Sequence, residues 1–356
     1  MVENRKSLST NKASQKKMLD EINLLRPTAI FLILVLHCFT IYSGGWELPE
    51  GIERNFIYMT IARFSHSCSL ETFAFMSGYL FFYGINECNH RYTLFSLIQN
   101  KTQRLIIPCI VFGILYKYLI EGIAPSLQGG YWYGVLVGVA HLWFLPMLFW
   151  CFIFSFLLKH WQVNEKVKIF ILFLLCISPL KNLPLAMGNT SYYILFFYLG
   201  GIFRSRHQQL SSIADGRHVR WLAAVFLLTF CSFLYWEKFA TDWLSSVDIA
   251  AWVGTSSNRF FRMLSSVFGV TFFYLSALYI SMRYSVPRWL LSLNKCCFGI
   301  YVVHHFILPI LYYHTALPAY LGSYVLPWGA LVFTSSVSLG IVIVMRKTKW
   351  GKFLIG

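Results

Sequence analysis

Arg26 and His37 stand eleven residues apart within the otherwise apolar stretch NLLRPTAIFLILVLHC. Ionisable groups at membrane depth are costly and are candidates for function by default. At about 100° and 1.5 Å per residue, the two groups return to nearly the same helix face, roughly 16 Å apart. They cannot touch, but they can line one cavity. An arginine at its mouth suits a phosphate or a carboxylate. A neutral imidazole deeper in suits removal of a proton from a hydroxyl. The plainer alternative is an arginine snorkelling to the interface and a histidine bonded to a neighbouring helix. Spacing alone leaves both open.

Further groups fall into place along the chain. Glu71, in SLETFAFMSGYLFF, lies at a depth similar to that of His37. There it can orient and charge-stabilise the imidazole, or be a protonated structural acid. Ser77 and Gly78 on the same run form a close-packing small pair, with Ser77 a supporting candidate. Lys101 and Arg104, in KTQR before Pro108, share a helix face and can clamp a phosphate, or simply anchor the helix at the inner surface. His141 and Trp143 fall in HLWFLP, and Tyr301 and His304 in FGIYVVHHF at i, i+3 spacing with His305 one position round. Alone, each reads as a helix-packing polar group. No HxxxH, HExxH or phosphate-loop motif occurs, so neither a metal set nor a nucleotide cradle is expected.

The elements that must position these groups are apolar helices. The chain is 57% hydrophobic and 12% charged, with mean hydropathy +0.58, against about 25% charged residues in soluble domains. An all-α, polytopic membrane protein is expected. Ten spans emerge, at 24–44, 59–84, 104–123, 136–158, 168–184, 190–204, 220–236, 261–282, 296–316 and 322–345. With the N-terminus cytoplasmic, 22 of the 30 lysines and arginines fall on the inner side, which predicts both termini there. The net charge of +16 is thereby inner-leaflet charge, and nucleic acid is not expected as a partner. The first apolar run lacks a signal-peptide cleavage pattern and is expected to be a retained span. Residues 1–22 form a polar cytoplasmic tail, 23–345 the membrane domain and 346–356 a short basic tail. The nine cysteines form no CxxC pair and are expected to be buried apolar groups.

Taken in order, Arg26-x10-His37, FAFMSGYLFF, KTQRLIIP, HLWFLPML and FGIYVVHH resemble the membrane-bound acyltransferase family 3, the O-acyltransferases of bacterial cell surfaces. The resemblance covers residues 20–345 and implies ten core helices. It implies an acyl-CoA donor, usually acetyl-CoA, approached from the cytoplasm. It implies an acceptor hydroxyl, usually on a sugar of a surface polysaccharide, a glycolipid or a lipid-linked intermediate, and a multi-pass location in the bacterial inner membrane among membrane lipids. By the family pattern His37 is the catalytic histidine, Arg26 its partner, Lys101 and Arg104 the basic pair, Glu71 an acidic position and Tyr301 with His304 the late Y-x-x-H. Asn23 stands where many members carry aspartate, and Pro27 where glycine is usual. Direct transfer and an acyl-histidine intermediate both remain open. A transporter or flippase for a lipid-linked sugar or organic anion is the alternative reading, with the buried charges lining a path.

Overall fold

The structure is a computed structural model that describes residues 19–126, 128–180, 183–244 and 251–356. The charges expected on the N-terminal tail, Arg5 to Lys17, and Lys181 lie outside the described residues. The described residues form helices and contain no strand. In chain order these are α1 (Asp20–Phe39), α2 (Phe56–His66), α3 (Ser69–Asn86), α4 (Leu94–Lys101), α5 (Ile107–Leu119), α6 (Gly129–Val137) and α7 (Phe144–His160). There follow α8 (Glu165–Ile177), α9 (Met187–Ser205), α10 (His207–Ile213), α11 (Gly216–Leu244), α12 (Ala251–Arg283), α13 (Arg288–Tyr313), α14 (Leu317–Met345) and α15 (Lys349–Ile355).

Among the described residues, seven segments are long and apolar enough to cross a membrane: Asp20–Ser43, Leu94–Leu119, Ala140–His160, Gly216–Phe239, Trp252–Arg283, Arg288–Tyr313 and Leu317–Met345. The other three expected spans fall on α2 with α3, on α8 and on α9. The expected span 59–84 is broken at Ser67 and Cys68 into α2 and α3. A broken backbone inside an apolar bundle must be satisfied by protein. Here the Ser266 hydroxyl of α12 donates to the Ser67 carbonyl at 2.5 Å. At 13 residues, α8 is shorter than a typical crossing of ~20.

The first helix is the hub. It packs against α2, α3, α12, α13 and α14, and Ala29, Ile33, Cys38 and Phe39 are wholly buried. Asp20 and Glu21 in its first turn complement the helix dipole. Close beside it, α3 and α9 pack backbone to backbone. A Cβ on Gly78 would lie 1.8 Å from the Phe197 carbonyl oxygen, and one on Gly200 would lie 2.1 Å from that of Phe75. Small residues permit such approach where no hydrophobic drive separates helix from lipid.

Two irregular segments aim the polar groups. Thr102–Ile106 forms a π-helical turn between α4 and α5, just before Pro108, whose missing N–H leaves a carbonyl to be accommodated. Before α7, Gly138 adopts φ +96°, and a Cβ there would meet the Trp143 nitrogen at 2.4 Å. The turn Ala140–Trp143 that follows carries His141 into the bundle.

Candidate active site

Four imidazoles meet at the centre. His37 on α1 has ring centroids 4.8 Å from His304 and 5.1 Å from His305, both on α13. His141 stacks on His305 at 4.5 Å and meets His304 edge-on at 5.1 Å. His141, His304 and His305 are buried, whereas His37 is only partly buried. The rings stack and cross rather than converge. Among the described residues no three His, Cys, Asp or Glu side chains are arranged to hold a metal.

Hydrogen bonds to backbone carbonyls set the tautomers. His304 Nδ1 lies 3.1 Å from the Ile300 carbonyl, an acceptor, so Nδ1 carries the proton and Nε2 the lone pair. His37 Nδ1 faces two acceptors, the Ile33 carbonyl at 2.9 Å and His304 Nε2 at 3.2 Å. It must donate, so His37 Nε2 is left with its lone pair. His141 Nε2 donates to the Val302 carbonyl at 3.1 Å, and the Tyr301 hydroxyl donates to the His141 carbonyl at 2.5 Å. Tyr116 and His305 Nδ1 are 3.2 Å apart.

Arg26 lies elsewhere, in the wall of a cavity of about 740 Å³. Its Nη1 donates to Asn294 Oδ1 at 2.8 Å, and Asn294 Nδ2 donates to Asn23 Oδ1 at 2.6 Å. Asn23 and Asn294 therefore aim the guanidinium without neutralising it. Among the described residues the cavity is lined by six cationic side chains, Arg26, Lys101, Arg104, Lys295, Arg346 and Lys352, and by no Asp or Glu side chain. Arg26, Lys101 and Arg104 form no ion pair among the described residues. Lys101 Nζ rests 3.6 Å from the centre of the Phe152 ring, a cation–π contact that fixes the amine at the wall. Ser77, Phe73, Phe144 and Tyr301 close the inner end. The Tyr301 ring is 6.1 Å from that of His304. His37 is not in this wall. It stands behind Tyr301 and His304, so Arg26 and His37 serve two compartments with an aromatic partition between them.

Of the two readings of Glu71, orienting His37 or serving as a structural acid, the structure shows no hydrogen bond to His37 and a pairing with Arg262. Glu71 Oε1 accepts from Arg262 Nη2 at 2.8 Å, and Arg262 Nη2 also lies 3.3 Å from the Tyr193 hydroxyl. The break at Ser67 puts Glu71 in the first turn of α3, towards α12. Trp143 belongs to this group, its ring 5.8 Å from Tyr193. Ser77 Oγ bonds the Phe73 carbonyl at 2.9 Å while lining the cationic cavity. A second cavity of about 650 Å³, between α7, α8 and α9, has almost wholly apolar walls and lies away from the histidines.

Sequence reasoning left out Asn294, Lys295, Arg346 and Lys352 from the cavity, and His305 from the cluster. Asn294 had a local signal, since it falls two helical turns before Tyr301 on the same face of an apolar run. Lys352 had none.

The family model for an acyltransferase domain, acyltransferase family 3, matches residues 19–347. The chain belongs to that family. No curated protein and no solved structure matches it. The cationic cavity and the histidine cluster of this membrane acyltransferase both lie within the matched residues, apart from the contribution of Lys352, Phe353, Ile355 and Gly356 to the cavity.

Proposed function

We propose that this acyltransferase moves an acyl group, most simply acetyl, from acyl-CoA to a hydroxyl of a surface polysaccharide, glycolipid or lipid-linked sugar, with the cationic cavity as donor site. One observation carries this reading. Among the described residues the cavity wall carries six cationic side chains and no Asp or Glu, and Tyr301 in that wall lies 6.1 Å, ring to ring, from His304 of a histidine cluster in which His37 Nε2 keeps its lone pair. The diphosphate and ribose phosphate of CoA match those cations, and the pantetheine arm matches the aromatic inner end.

In this reading His37 Nε2 removes the proton from the acceptor hydroxyl as the oxygen attacks the thioester carbonyl. The C–O bond forms, the C–S bond breaks, and the departing thiolate takes the proton from the imidazolium to leave as CoA thiol. His304 Nε2 accepts the His37 Nδ1–H throughout and spreads the developing charge. It does for His37 what Glu71 was a candidate to do. The donor must pass Tyr301, so the partition opens or the arm threads beside it. The cavity mouth is cytoplasmic by the positive-inside rule, with both termini on that side and α2–α3, α8 and α9 completing ten crossings in the bacterial inner membrane.

The test is thiol release from acetyl-CoA by the purified protein with surface glycans present, wild type beside His37→Ala. Removal of the base should lower turnover by at least about a hundredfold without changing CoA binding. Near-normal turnover in the variant would sink the mechanism.

A further inference from the structure

The family match ends at residue 347, yet the donor cavity does not. Lys352 and Phe353, on α15, line it together with Arg346. This segment is a fixed wall rather than a trailing basic tail. Thr348 caps α15, its hydroxyl accepting from the Gly351 N–H at 2.9 Å. Gly351 sits so close to the end of α14 that a Cβ would lie 1.9 Å from the Met345 carbonyl oxygen. Ile355 is wholly buried and fills the space that Gly299 of α13 leaves, where a Cβ would come within 3.1 Å of it. Arg346 Nη1 donates to the Lys295 carbonyl at 2.8 Å and to the Gly356 carbonyl, tying both ends of α15 to α13.

So held, α15 places Lys352 and Phe353 in the lining of the cavity that Lys101 and Arg104 also line, while Lys349 on the same helix is exposed and does not line it. Lys352 and Phe353 are themselves exposed, the latter by 44%. An exposed lysine next to an exposed phenyl ring, which Trp350 meets at right angles at 6.3 Å, in a cavity lined by two more cations, Lys101 and Arg104, is a pair of groups suited to a nucleotide. The amine meets a phosphate and the ring meets a base.

Resting on the proposed donor site, we infer that α15 is part of the acyl-CoA binding site, with Lys352 holding a phosphate of the nucleotide end and Phe353 stacking on the adenine. The chain thus completes its donor site with a helix outside the family core. Donor affinity depends on a segment that the acyl-transfer chemistry itself does not use.

The experiment is direct binding of CoA to the full-length purified protein, by calorimetry in detergent, for wild type, Lys352→Gln, Phe353→Ala and Lys349→Gln. Lys352→Gln should raise the Kd about fivefold to tenfold, since a charge-assisted bond is lost. Phe353→Ala should raise it by about fivefold or more. Lys349→Gln should bind as wild type does, because it removes the same charge from the same helix without touching the cavity. All three side chains are exposed, so unchanged melting temperatures should accompany these values. If wild type binds CoA and neither Lys352→Gln nor Phe353→Ala differs from it, the role of α15 is overturned and the donor site stands. Equal weakening by Lys349→Gln and Lys352→Gln also overturns it, in favour of a general field effect. Failure of wild type to bind CoA would instead bring down the donor reading, and this inference with it.

Discussion

At the scale of single residues, His304 is the side chain whose removal separates positioning from base chemistry. It touches His37 only through Nδ1, the nitrogen that does not receive the substrate proton. His304→Ala should lower kcat by about tenfold to a hundredfold and leave the KM for acetyl-CoA unchanged. His304→Gln, which restores an acceptor, should recover part of the loss. An equal loss in both, or a change confined to KM, would show that His304 acts otherwise. Arg26 offers a second test. Asn294 and Asn23 hold its guanidinium with neutral groups. Asn294→Asp keeps the acceptor but sets a carboxylate against the charge. It should raise the KM for acetyl-CoA by about tenfold with little effect on kcat. An unchanged KM would mean that the charge of Arg26 is not used for the donor.

At the scale of elements, the contact between α3 and α9 is the tightest point of the bundle. It places Ser77 and Phe73 on the cavity wall, because Gly78 lets α3 lie against the Phe197 carbonyl. Gly78→Ala must push the two helices apart, at a cost of about 3 kcal/mol or more. Its melting temperature should fall clearly below that of Gly340→Ala, where a Cβ meets nothing within 4 Å. Equal melting temperatures would show that the helices can slide apart freely. The buried pair of Glu71 and Arg262 joins α3 to α12 in the same spirit. Breaking such a pair leaves a buried charge alone, typically on the order of 3 kcal/mol.

At the scale of the whole molecule, the cations of α1, α4, the π-helical turn, α13, α15 and Arg346 just after α14 gather around one cavity, and the histidines do not line it. An acyl-CoA donor requires that cavity to face the cytoplasm. A reporter fused after Gly356 should therefore be active only on the cytoplasmic side, and one in the loop 45–55 only on the outer side. The reverse pattern would put the cationic cavity where no acyl-CoA is available, and the proposed reaction would fail with it.

The amino-acid sequence alone determined that the chain is helical and membrane-bound, and it singled out Arg26, His37, Lys101 and Arg104 as candidates. Apolar run length, charge placement and i, i+3 spacing are local properties, and they survive whatever the helices pack against. Only the tertiary structure decided the partners. His37 bonds a residue 267 positions away rather than Glu71. The reason is rotational. The break at Ser67 and Cys68 re-aims α3 so that Glu71 turns to α12 and Arg262. The cationic cavity likewise depends on α15 folding back on α13, held by Gly299, Gly351 and Arg346. That contact is set by which backbones can approach closely, and no periodicity along the chain encodes it.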